Sequence, residues 1–250
     1  MNALHICAGH LPQRAAELLD LVRARAPRVH CLMNTVVQKL VADGLSALGA
    51  IPSMTSSPEE VASFVAKADA LSVNLGTLDA TRRQAILIGA EAAVRLGRPW
   101  VLDPAHCDYS PPRAVFAREL LVQGATVLRA NAAEHVLLTV PVDVVSIRTG
   151  EADTVSLDHN TLSICNGHAL MAKVTGTGCL SGAVAAAFLA VTADRFAASA
   201  SAMLAMGAAA EMAAEHARGP GTFEPALLDA LANLTSEDII KRARVLDEQG

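Results

Sequence analysis

Lys173-Val-Thr-Gly-Thr-Gly-Cys179, continuing as Leu-Ser-Gly-Ala-Val-Ala-Ala-Ala-Phe188, sets two glycines and two threonines directly before an apolar run long enough for a buried helix. Backbone N–H groups in such a loop converge on one point, and the helix adds the positive end of its dipole there, an arrangement that binds phosphate. Gly176, Thr177 and Gly178 would form that anion hole. Cys179 stands at the helix entrance, where a thiol is expected to lose its proton more easily than in bulk protein. An anion hole with an activatable side chain at its rim points to phosphoryl transfer rather than binding alone. The plainer alternative, a glycine-rich turn that lets a helix pack closely, stays open on these residues. The loop is not a P-loop, because no Lys-Ser/Thr follows the glycines. Gly176-x-Gly178-x-x-x-Gly182 is one residue too long for a dinucleotide fingerprint and comes late in the chain.

Upstream, short β-branched runs at 29–33, 51–54, 71–74, 99–102, 125–128 and 142–148 alternate with helical stretches. The helices are expected over 12–25, 35–48, from Ser57-Pro58-Glu59-Glu60 onward, from the cap Asp79 to 96, and over 114–122 and 132–138. Such alternation argues for a parallel sheet covered on both faces. Residues 154–157 and 161–165 read as a hairpin around Asp158-His159-Asn160, with another turn at Asn166-Gly167. Everything after Gly178 reads as helix, over 179–191, 194–217, 223–232 and 236–247. No repeat or linker divides the chain, so residues 1–250 are expected to form a single α/β domain.

The 250 residues are 52% hydrophobic but only 3% aromatic, so Ala, Val and Leu must fill the core. A net charge of −5 without a basic cluster argues against nucleic acid as a partner. The five cysteines are scattered without a C-x-x-C pair, which fits a reduced, cytosolic setting. Residues 1–11 contain His5 and His10 but lack the pattern of an export peptide. The apolar run 182–193 is too short to span a membrane and reads as a buried helix.

Open α/β sheets bind ligands at the carboxyl ends of their strands. There the sequence sets Asn34, Asn74 and Gly76, Asp103, Arg129 and Asn131, and Thr149 with Gly150. Asp103 and Glu134 near a phosphate loop are a reasonable pair for Mg²⁺. Asn131 and Glu134 equally have the spacing of a simple capping box. Arg129 and Thr149 suit phosphate, or else a surface Arg and a turn. Met54 offers a pliable apolar contact for a small ring, or core filler, and Asn34 a polar contact or a helix cap. His106-Cys107-Asp108 lacks the spacing of a metal cluster. His30, His135 and His216 read as structural, without an evident partner.

Taken together, these residues resemble the hydroxyethylthiazole kinase family, a branch of the ribokinase-like fold. The marks are Asn34-Thr-Val-Val37, the run Asp43-Gly-Leu-Ser-Ala-Leu-Gly-Ala-Ile-Pro-Ser-Met54 and Asn74-Leu-Gly-Thr-Leu78. Val101-Leu-Asp-Pro104, Arg129-Ala-Asn-Ala-Ala-Glu134, Thr149-Gly-Glu151, the long run from Asn166 to Cys179, and Arg218-Gly-Pro-Gly-Thr-Phe223 continue them. The resemblance implies a three-layer αβα domain with a mostly parallel central sheet. It implies ATP-dependent phosphorylation of the hydroxyethyl group of 4-methyl-5-(2-hydroxyethyl)thiazole, in thiamine biosynthesis or salvage. By the same resemblance Met54 and Gly176 contact the thiazole, with Asn34 and Gly76 beside them. Arg129 and Thr149 contact ATP, Asp103 and Glu134 hold Mg²⁺, and Cys179 takes the catalytic position that is aspartate in most ribokinase-like enzymes. A cytoplasmic homotrimer without a membrane or nucleic-acid partner is implied as well.

Three departures stand out. Between Glu134 and Thr149 the family usually inserts a further helix. A glycine-rich loop usually follows Asp-Pro, where this chain reads Ala105-His-Cys-Asp-Tyr-Ser110, and Met33 replaces a threonine. These departures motivate an alternative, a non-catalytic homologue that binds thiazole or nucleotide. A kinase of another small vitamin-precursor alcohol, or a dehydratase on the same fold, would be expected to carry aspartate where Cys179 stands.

Overall fold

The computed structural model describes residues 6–248, so His5 lies outside the described residues. The parallel strands are β1 (Arg28–Leu32), β2 (Ile51–Ser53), β3 (Ala70–Asn74), β4 (Trp100–Asp103), β5 (Val127–Asn131) and β6 (Val145–Thr149). The sheet is completed by β7 (Asp153–Leu157), β8 (Asn160–Ile164) and β9 (Val245–Asp247), which pair antiparallel, giving the order β2-β1-β3-β4-β5-β6-β7-β8-β9. Because β1 is followed by β2 on one side and β3 returns on the other, the strand order reverses at β1/β3. That is where a crevice opens in a doubly wound sheet.

Alternation along each strand sorts the two faces. Val29, Cys31, Val101, Val127, Val145 and Ile147 join one core, and Leu32, Leu71, Val73, Leu102 and Leu128 join the other. On the first face lie α1 (Leu11–Arg25), α2 (Gln38–Leu48), α7 (Thr177–Leu189), α8 (Arg195–His216), α9 (Pro220–Asn233) and α10 (Ser236–Arg242). The second face carries α3 (Val61–Lys67), α4 (Ala80–Arg95) and α5 (Pro111–Val122), with the single turn α6 (Ala132–His135) at its upper edge. The expected three-layer αβα architecture is present. Alanine dominates the first core, as the low aromatic content required, and lets α1, α7, α8 and α9 approach closely. By length and composition α8 could cross a membrane, but 89% of its apolar window is packed inside the protein.

Several boundaries differ from expectation. The helix expected from Thr35 starts at Gln38, because Asn34 Oδ1 accepts the Val36 N–H (3.1 Å) and holds residues 34–37 in a turn. Asn34 is therefore not the helix cap. The last helix stops at Arg242 rather than 247: Ala243 turns extended, and Val245–Asp247 adds a strand along β8. Short 3-10 turns at Cys107–Tyr109 and Ala169–Lys173 were not anticipated.

His30 and His135, expected without partners, each meet a serine. The closest ring nitrogens lie 2.9 Å from Ser53 Oγ and 2.7 Å from Ser146 Oγ. His30 is fully buried and stacked on Phe64, and burial pushes its imidazole down to about 4. The native state thus resists a proton that the unfolded chain takes up near pH 6.5. Its contribution is complete above pH 6.5 and is lost as pH falls toward 4, by at most about 3 kcal/mol. Urea unfolding at pH 7 and pH 4.5 is expected to show a steeper loss for the wild type than for His30→Gln.

Candidate active site

The carboxyl ends of β1, β3, β4 and β5 and the first turn of α7 enclose a cleft of about 360 Å³. Asn34, Gly76, Asp103, Arg129, Glu134, Gly176, Gly178 and Cys179 all line it, so the chain brings together most of the residues singled out from sequence. Three stand apart. Thr177 is buried, and its hydroxyl donates to the Met171 carbonyl (2.8 Å) rather than facing the cleft. Thr149 lies one layer out, accepting from Arg129 Nη2 (3.0 Å). Met54, just after β2, is half-buried against the first core and does not line the cleft.

The α7 entrance is built by Gly176, whose φ of +102° is open to glycine and strained for other residues. A Cβ there would also stand 2.7 Å from Val37 Cγ1. Leu180 N–H is the first to find an intrahelical partner, the Gly176 carbonyl (2.8 Å). Among the described residues the N–H groups of Thr177, Gly178 and Cys179 meet no acceptor. Of these, Gly178 and Cys179 line the cleft and give it the donors and dipole end that suit an anion.

An amide relay crosses the β1/β3 switch point. Asn74 Oδ1 accepts both the Gly76 N–H (2.9 Å) and Asn34 Nδ2 (2.9 Å). Asn74 Nδ2 in turn donates to Cys179 Sγ (3.3 Å), which Asn34 Nδ2 also approaches at 3.8 Å. Beneath it, the buried Arg82 of α4 donates to the carbonyls of Gly76, Asn74 (2.9 Å) and Leu32 (3.4 Å). Arg82 thereby pins the ends of β1 and β3 together. Sequence reasoning missed it; an arginine in the first turn of an otherwise apolar helix face was the available sign.

Cys179 corrects one expectation. Burial pushes its thiol up to about 12, the negative Asp103 adds to this, and Arg129 offsets only part. The helix entrance does not make it a ready thiolate, because desolvation disfavours the charged form more than one dipole end can favour it. Iodoacetamide at pH 8 is expected to alkylate Cys179 on the order of a thousandfold more slowly than an ordinary free thiol. Peptide mapping by mass spectrometry measures this directly, and rapid labelling would show the thiolate to be accessible after all.

Across the cleft, Asp103 is almost fully buried, and its Oδ2 has no hydrogen-bond donor. Arg129 Nη1 approaches that oxygen at 3.6 Å. A buried carboxylate oxygen is costly unless a cation meets it, and here Arg129 is that cation. Asn131 and Glu134 do form the capping box that their spacing allowed. Glu134 Oε2 accepts the Asn131 N–H (2.8 Å) and Oε1 the His106 N–H (2.7 Å), each oxygen keeping a second lone pair.

The segment set aside as a metal site behaves differently from expectation. Cys107 turns into the second core, while His106 and Asp108 turn the other way and gather with Glu134, their ligand atoms all within 4.8 Å of one another. Arg113 of α5 braces this loop through the Ala105 carbonyl and also lines the cleft.

The family model described as the hydroxyethylthiazole kinase family matches residues 19–141 and 137–237, two stretches that overlap just after Glu134. A "Probable hydroxyethylthiazole kinase" of Agrobacterium fabrum is 58% identical over 237 residues, covering 95% of this chain and 96% of its own. The solved structure of a hydroxyethylthiazole kinase protein from Pyrococcus horikoshii superimposes with a TM-score of 0.90 at 35% identity, over 94% of this chain and 98% of that one. A ribokinase-like superfamily protein from Enterococcus faecalis shares the fold at a TM-score of 0.58 and 17% identity, covering 91% and 84%.

Proposed function

The chain belongs to the hydroxyethylthiazole kinase family, and on that premise we propose that it transfers the γ-phosphate of ATP to the hydroxyethyl group of 4-methyl-5-(2-hydroxyethyl)thiazole. The observation that carries the reading is Cys179 on the first turn of α7, in one cleft with Gly176, Asp103 and Arg129. Relatives of this identity and coverage do not favour the non-catalytic alternative.

Phosphoryl transfer needs mainly positioning and charge neutralisation. The unpaired N–H groups of Gly178 and Cys179 face the charge that spreads over the transferred oxygens, and Arg129 adds a cation from the opposite wall. Thr149 steadies Arg129 through its hydroxyl and takes its place on the nucleotide side as that arginine's partner. Asn34, Gly76 and Gly176 line the alcohol side, where Cys179 orients the hydroxyl with a protonated thiol. Met54 joins the thiazole site from beyond the cleft, which fits a homotrimer with sites between subunits.

Asp103 and Glu134 are the residues that would hold Mg²⁺. Asp103 Oδ2, met by Arg129 Nη1 only at 3.6 Å, and the spare lone pairs of Glu134 fit a hard cation. When bound, Mg²⁺ supplies charge compensation for the phosphate oxygens. The cytoplasm, with all five cysteines free, completes the reading.

Mass spectrometry of products after incubation with ATP, Mg²⁺ and a panel of vitamin-precursor alcohols tests the proposal. Phosphorylated thiazole alcohol is expected, with ADP formed in equal amount. ADP no higher than an ATP-only blank would refute it, and phosphate on a pyrimidine or pyridine alcohol instead would redirect it. Light scattering that gives a clean monomer would remove the trimer.

A further inference from the structure

We infer that His106, Asp108 and Glu134 form a divalent-cation site whose imidazole makes this chain prefer first-row transition ions to Mg²⁺. Their ligand atoms lie within 4.8 Å of one another. Three ligands at about 2.1 Å from one ion stand roughly 3.0–3.6 Å apart, so side-chain shifts on the order of an ångström close the set.

The pieces are held in place. His106 has φ +59°, which aims its side chain away from the direction taken by Cys107, and its ring stacks on Tyr109 at 5.5 Å. Its backbone N–H is bound by Glu134 Oε1, so the loop and the carboxylate move together. Asp108 Oδ1 is buried and has no hydrogen-bond partner. Asp103, 2% exposed and met at Oδ2 by Arg129 Nη1 (3.6 Å), lines the same cleft as His106 and Glu134. An orphaned carboxylate oxygen on Asp108, gathered with a histidine and a glutamate, describes a place left for positive charge.

The ligand chemistry sets the preference. Carboxylates alone suit Mg²⁺, whereas an imidazole nitrogen favours ions later in the first row. The loop after Asp103-Pro104, Ala105-His-Cys-Asp-Tyr-Ser110, brings such a side chain. Any use of this cation in phosphoryl transfer rests on the proposed kinase activity. Binding of the ion does not.

Calorimetric titration of the tag-free full chain with Co²⁺ and with Mg²⁺, in the absence of nucleotide, tests the inference. Co²⁺ is expected to bind at least about tenfold more tightly than Mg²⁺. His106→Asn, chosen because asparagine tolerates the left-handed backbone, should weaken Co²⁺ by about tenfold and leave Mg²⁺ within about threefold. Asp108→Asn should weaken both ions. Equal affinity for the two ions, no heat from either, or a His106→Asn variant that binds Co²⁺ as tightly as wild type would overturn the site. Phosphorylated thiazole without a Co²⁺ preference removes this inference alone, and Co²⁺ binding without turnover removes only the kinase reading.

Discussion

Alanine at Gly178 is expected to lower kcat/KM for thiazole phosphorylation about a hundredfold, roughly 2.7 kcal/mol of transition-state stabilisation, while leaving the fold intact. A Cβ at that position would stand 2.5 Å from Arg129 Nη2 and 2.9 Å from Cζ. The obstacle is the far end of a long side chain, which can swing aside at little cost to stability. It cannot swing aside and also keep its bond to Thr149 and its place 3.6 Å from Asp103. Steady-state kinetics beside a thermal melt separates the two effects. A variant with normal turnover would show that Arg129 need not stand where it does, and one that unfolds would assign Gly178 to packing.

Gly207→Ala is the converse case, expected to destabilise the fold by about 3 kcal/mol or more, at the upper end for an overpacked core. For a chain of this size that corresponds to a fall in Tm of roughly 6–12 °C. The added Cβ would meet Asn166 Cβ at 2.6 Å and its backbone carbonyl atoms at 2.8 Å. Asn166 cannot retreat. Its amide donates to Glu211 (2.9 Å) and to the Arg242 carbonyl (2.8 Å), and its Oδ1 accepts the Arg244 N–H (2.8 Å). This knot ties the end of β8 to α8 and the β9 strand. Guanidinium unfolding measures the loss, and a change below about 1 kcal/mol would show the knot to be looser than it looks.

The layered fold was legible because its cause is periodic. Buried parallel strands such as Leu71–Asn74 read as short apolar runs, and the glycine and aspartate breaks fall where chain direction reverses. The strand-end polar residues were legible for the same reason: a doubly wound sheet delivers Asn34, Asn74, Asp103 and Arg129 to one edge whatever their separation in sequence. What sequence could not supply was orientation. His106-Cys107-Asp108 looked unable to converge because neighbours usually point apart, and only the left-handed backbone at Ala105 and His106 lets two of the three do so. The state of Cys179 was missed for a related reason. A helix entrance is visible in sequence, whereas the burial and the nearby Asp103 that outweigh it come from β4. β9 escaped notice because Val245–Asp247 has no turn signal of its own and takes its conformation from β8.

The amide relay at the strand switch also has a polarity. Gly76 N–H can only donate, so Asn74 must present Oδ1 to it and Nδ2 to the sulfur, and neither amide can flip without stranding a hydrogen. Both amide groups therefore aim hydrogens at Cys179 Sγ, and the single S–H is left to the remaining arc, where the Asp103 carboxylate accepts it. The direction left to the thiol proton is thus set, through two amides, by the backbone N–H of a single glycine.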